Sequence, residues 1–135
     1  MKANLLLAAA AAMSLGACQT TSAPQSEAEV IFTSHGGTVR ARHYRDVAED
    51  CSNRGYASIA IASPPRGGRI ELRREGEFPG FPPSNPRSKC NNRKVDGVGV
   101  YYVSDPKFIG GDRFTVEVIW ADGARWTQDF VVQVR

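Results

Sequence analysis

The last third of the chain alternates apolar and polar positions with a period of two. Val98, Val100 and Tyr102 alternate with Gly97, Gly99 and Tyr101, the spacing of a strand with one buried face. Ser104-Asp105-Pro106 ends that strand, because proline donates no ladder hydrogen bond and restricts the residue before it. Phe108 stands alone among turn residues and is expected to plug into the core. Gly110-Gly111 permits positive φ, and Asp112 is expected to hold this turn by accepting from nearby backbone N–H groups. The alternation then resumes, with Phe114, Val116, Val118 and Trp120 on one face and Arg113, Thr115 and Glu117 on the other. Asp122-Gly123 signals a hairpin turn. Trp126, Gln128, Phe130, Val132 and Val134 line one face of the return strand, opposite Arg125, Thr127, Asp129 and Gln133.

The earlier segments are shorter. Residues 30–33 and 38–44 predict two strands around Gly36-Gly37. Tyr44, Val47, Ala48 and Cys51 have helical spacing, so 45–52 reads as a short helix or an irregular crossover. Residues 56–62 form a small-residue strand stopped by Pro64-Pro65. Gly67-Gly68 turns into 69–74, with Ile70 and Leu72 inward and Arg69, Glu71 and Arg73 outward. Residues 75–96 carry Pro79, Pro82, Pro83 and Pro86 and no period. Such a long connection implies a functional loop or one pinned by a cross-link. The expected fold is all-β, an antiparallel sandwich of about seven strands over residues 30–135. Its core is Phe114, Val116, Val118, Trp120, Trp126, Phe130 and Val132.

Tyr102, Phe108, Gly110, Asp112 and Phe114 fall at the spacings of the run Y-x-P-x-x-x-F-x-G-x-D-x-F. Gly123 and the closing Val132 and Val134 follow, and Pro65, Gly68 and Ile70 match an upstream P-x-x-G-x-[VI] element. This pattern resembles the bacterial Ig-like and cadherin-like sandwich modules of surface and envelope proteins. Ser104 stands where those modules place the first proline, and Val116 where many place tyrosine. The resemblance spans residues 63–134 and implies an Ig-like sandwich; it implies no activity, since one such fold hosts many functions.

Residues 1–17 read as a processing segment: Lys2 supplies the positive end, and 5–13 an apolar run too short to span a bilayer. Leu15-Gly16-Ala17-Cys18 resembles the lipobox of bacterial lipoproteins. That resemblance implies cleavage before Cys18 and acylation of the new N-terminus, with the alternative of an ordinary secretory peptide beside a chance cysteine. Gln19 rather than Asp follows the cysteine, which within this class favours the outer membrane, facing the periplasm. Residues 18–29 then form a lipidated N-terminus and a flexible polar tether. Removing 1–17 leaves 118 of the 135 residues, enough for one core.

With Cys18 assigned to lipid, Cys51 and Cys90 remain in an oxidising compartment. A bridge between them would pin the proline-rich segment and contribute about 4 kcal/mol on the chain-entropy model. Free thiols or an intermolecular bridge are the alternatives.

Candidate chemistry is sparse. Ser34-His35-Gly36-Gly37 resembles an esterase oxyanion loop, but no G-x-S-x-G elbow accompanies it, and a polar turn is the simpler reading. His35 and His43 lack an assignable third metal ligand. Asp105, Asp112 and Asp122 do not have EF-hand spacing. No catalytic residue, metal or cofactor is assigned. The one charge feature is basic: Arg66, Arg69, Arg73, Arg74, Arg87, Lys89, Arg93 and Lys94 outnumber Glu71, Glu75 and Glu77. Arg87, Lys89, Arg93 and Lys94 are the leading candidates for contact with an anionic partner: lipopolysaccharide, cell wall or an acidic envelope protein. Arginines snorkelling over apolar surface are the bland alternative. The compartment argues against nucleic acid. The expected function is a lipid-anchored, noncatalytic interaction or structural module. The alternative is an inhibitor of a protease or other hydrolase acting through residues 75–90.

Overall fold

The computed structural model describes residues 27–135. The expected signal peptide, the acylation site Cys18 and tether residues 18–26 lie outside the described residues. Seven strands form two packed sheets: β1 (Glu29–Thr33), β2 (Thr38–Tyr44), β3 (Ser58–Ser63), β4 (Gly68–Glu77), β5 (Val95–Ser104), β6 (Gly110–Ile119) and β7 (Arg125–Val134). A 3-10 helix, Pro86–Asn92, lies between β4 and β5. One sheet runs β1-β7-β6-β3 and the other β2-β5-β4. All neighbours are antiparallel except β1 and β7, which run parallel. The protein is a β-sandwich.

The strict alternation of β6 and β7 produces this architecture. Phe114 pairs with Phe130, Val116 with Gln128 and Val118 with Trp126, so one register turns all the aromatic side chains of the hairpin to one face. That face meets Val100 and Tyr102 of β5, Ile31 of β1 and Tyr44 of β2 in the main core. The Phe114 and Phe130 rings stack with centroids 4.7 Å apart, and Tyr44 meets Trp120 and Trp126 edge-on. Five of the seven expected core residues, Phe114, Val116, Val118, Phe130 and Val132, are buried in this cluster; Trp120 and Trp126 are partly exposed and pack against it. Phe108 packs against it as expected, over Gly67, where any Cβ would strike the ring.

Three local expectations change, and one alternative is decided. β3 begins at Ser58, leaving Tyr56 partly exposed beneath the Arg74 guanidinium. Residues 45–52 are the irregular crossover, not a helix; a bridge between Val47 and Asn53 folds the segment back, and Cys51 takes φ 68°. Leu72 points along the inward row but is 45% exposed, because β4 is an edge strand. The loop expected over 75–96 is shorter, since Glu75, Gly76 and Glu77 pair with Gly97, Asp96 and Val95. The inward row of β4 runs Ile70, Leu72, Arg74 and Gly76, so its apolar signal fades where the sandwich opens to solvent.

Candidate functional site

Residues 78–94 join β4 to β5 and form the candidate contact surface. Asn85 caps the 3-10 helix, its Oδ1 accepting from the Arg87 N–H at 2.8 Å. Pro86 follows at the first position, where its missing N–H costs nothing. Asn91 closes the loop from the other side. Its Oδ1 accepts from the Phe81 N–H and its Nδ2 donates to the Phe81 carbonyl, both at 2.8 Å. Cys51 and Cys90 form a disulfide with Cα atoms 5.3 Å apart. Cys90 is fully buried with Val47 and Val95 in a second small core, against which Cys51 and Phe81 pack. Phe78 remains 53% exposed.

The four candidate cations therefore sit on or beside a braced segment, but they do not converge as one cluster of free charges. Lys89 is exposed. Lys94 Nζ lies 5.8 Å from the Phe78 ring centroid. Arg93 donates to the Asp50 carbonyl oxygen at 2.9 Å. Arg87 is half-buried, and its Nε is buried without a hydrogen-bond partner. Among the described residues none of the four forms an ion pair with a carboxylate.

The outer face of the three-stranded sheet contrasts with this. Arg40 pairs with Glu75 at 3.7 Å and with Glu77. Arg45 pairs with Glu77 and donates to the Pro79 carbonyl. Arg73 lies 4.1 Å over the Tyr101 ring and pairs with Glu71, which also holds Arg69. The Tyr101 hydroxyl donates to Glu75 at 2.7 Å; burial, then the Glu75 carboxylate, push its pKa up. His43 lies within this network with only 2% of its side chain exposed. Its Nε2 donates to the Glu75 carbonyl at 3.1 Å, and its Nδ1 lies 3.4 Å from both Arg45 Nη1 and Glu77 Oε2. Both ring nitrogens are engaged under cover, a structural arrangement closed to a solvent-borne reactant. Gly99 floors the network, since a Cβ there would strike the Glu75 carboxylate. Sequence reading missed this cluster; its signal was glycine at two successive outward positions of β5, Gly97 and Gly99.

The remaining candidates scatter. His35 occupies the turn before β2, its Nδ1 3.2 Å from the Pro106 carbonyl oxygen, while His43 lies near the other end of that strand. Asp122 accepts from the Ala124 N–H within its own turn. Asp112 does accept backbone N–H groups, but not to close the Gly110-Gly111 turn. It receives Arg66 and Arg113 on one oxygen, and Gly67 and the Tyr102 hydroxyl on the other, at 2.8–3.0 Å. Burial alone would raise the Asp112 carboxyl; the three backbone donors and Tyr102 outweigh it and hold the pKa below the usual value.

Comparison with protein-family models, curated proteins and solved structures returns no match.

Proposed function

We propose that the protein is a lipid-tethered, noncatalytic binding module of the bacterial envelope, anchored through Cys18 in the outer membrane and facing the periplasm. Strand order supports an Ig-like topology, because β1 pairs parallel with β7 while β2, β5 and β4 form the opposing sheet. The observation that carries the functional reading is the braced segment 78–94. A disulfide, a capped 3-10 helix and the Asn91 bracket fix its backbone, while Arg87, Lys89, Arg93 and Lys94 form no ion pair with a carboxylate among the described residues. Ordering before contact lowers the entropy lost on binding. The partner chemistry is anionic: lipopolysaccharide phosphates, cell-wall carboxylates or an acidic protein face. The same rigidity favours a second reading, insertion of the segment into the cleft of a protease or other hydrolase.

Retention on isolated envelope material tests the first reading. Exposed charges are screened beyond about 8 Å in physiological salt, so retention should fall as salt is added. It should fall with Lys89→Gln/Lys94→Gln, and further when Arg87 and Arg93 also become Gln. Unchanged retention in the fourfold variant rejects the contact surface. Inhibition of periplasmic proteolysis that survives high salt would instead favour the second reading.

A further inference from the structure

The outer face of the four-stranded sheet carries a groove of about 540 Å³ bordered by Ser63, Arg66, Gly111, Arg113, Val131 and Gln133. An adjoining hollow of about 260 Å³ shares Ser63, Arg113 and Val131 and extends to Ala28 and Asp129. Asp112 also borders the groove, but its carboxylate is buried and occupied by four donors. Two of those donors are the backbone N–H groups of Arg66 and Arg113, so this one carboxylate places the two arginines side by side from different strands and loops. It leaves their guanidinium groups free. Both side chains are exposed and without a partner among the described residues.

Strand register extends the groove into an amphiphilic face. Val30, Val131 and Arg113 form one cross-strand row, and Phe32, Gln133 and Gly111 the next. Val30 is 52% exposed and Phe32 55%. The Arg135 guanidinium stands over the Phe32 ring at 5.2 Å. Asp129 also lines the adjoining hollow, in the next cross-strand pair on the same face after Arg113 and Val131, and its Oδ1 accepts from the Thr115 hydroxyl at 2.6 Å.

We propose that this face seats the headgroup phosphate of an anionic phospholipid between Arg66 and Arg113, while Val30 and Phe32 enter the interfacial layer beside it. A soluble phosphate would use the groove alone; the exposed aromatic and aliphatic rows beside it match a lipid surface. The proposal rests on the tether reading in one respect. β1 belongs to this sheet and begins at Glu29, so residues 18–28 would hold the face within about 40 Å of the acylated end.

The test uses the chain from Gln19 onward, without acyl groups. Both sheets and both core clusters lie within residues it retains. Flotation is measured with phosphatidylglycerol–phosphatidylethanolamine vesicles and with phosphatidylcholine vesicles. Binding to the anionic vesicles alone is expected, weakening with salt. Arg66→Gln/Arg113→Gln should reduce it on the order of tenfold or more, since both cations would sit at the anionic surface. Phe32→Ser should also reduce it. No flotation, or equal flotation of the double arginine variant, overturns the proposal. Displacement by glycerol phosphate with Phe32→Ser unchanged would assign the groove to a soluble phosphate and also overturn it. Acylation of Cys18 and envelope retention through Lys89 and Lys94 are read separately, so failure here leaves the proposed function standing.

Discussion

The Asp112 carboxylate receives donors from β5, from its own strand and from the 64–67 connection, tying both sheets together at one end. Asparagine has one acceptor oxygen, so Asp112→Asn strands buried N–H groups. The expected loss is about 2 kcal/mol, measured by chemical denaturation. The sign with pH follows from the depressed carboxyl. Its contribution is present above the unfolded value near 4 and disappears as pH falls through the lower folded value. Thermal melts should therefore decline more steeply in acid for the native chain than for Asp112→Asn; parallel declines would contradict this account. Val118 is fully buried between the sheets, and Val118→Ala should cost about 1–3 kcal/mol, again read from denaturation. Asp112 was legible as a backbone-binding aspartate, but its partners were not: Arg66 and Gly67 lie 46 and 45 residues away, so only tertiary structure selects them.

Among the elements, β6 and β7 were readable because each is a long strand with one face buried along most of its length, separated by Asp122-Gly123. β4 was readable only to Arg74. Beyond it the inward positions face an open edge, and the outward Glu75 and Glu77 serve the network over Gly99 rather than any periodic pattern. The two-cysteine pairing was legible from the expected compartment and the count, whereas the fates of Arg87, Arg93 and Lys94 depend on burial, a carbonyl and a ring brought in by the fold. Cys51→Ser/Cys90→Ser should lower stability by about 2–5 kcal/mol and loosen 78–94 first. Hydrogen exchange at the Phe81 and Arg87 amides, both bonded inside the brace, should accelerate more than exchange in β6. Uniform acceleration across both would show that the bridge stabilises the sandwich rather than the segment.

For the whole molecule, the two cores divide the work. The larger one builds the sandwich; the smaller one, around Cys90, fixes the segment proposed to meet the partner. The proposed anchor is tested by labelled palmitate in cells. Incorporation should vanish in Cys18→Ser while the domain's melting temperature, measured on chain from Gln19 onward, is unaffected by the missing acyl groups. Equal labelling of Cys18→Ser would remove the anchor.

The parallel pairing of β1 with β7 has a mechanical consequence. A protein fixed to a membrane by its N-terminus while gripping a partner carries tension through Glu29. The registered pairs from Glu29 and Phe130 to Thr33 and Val134 lie side by side along that strand. A pull along β1 loads their hydrogen bonds together in shear, where a hairpin peeled from its end would release them singly. Sliding β1 free must also drag Ile31 out of the core. Under the proposed anchor, β1 would thus serve as a force-bearing clasp.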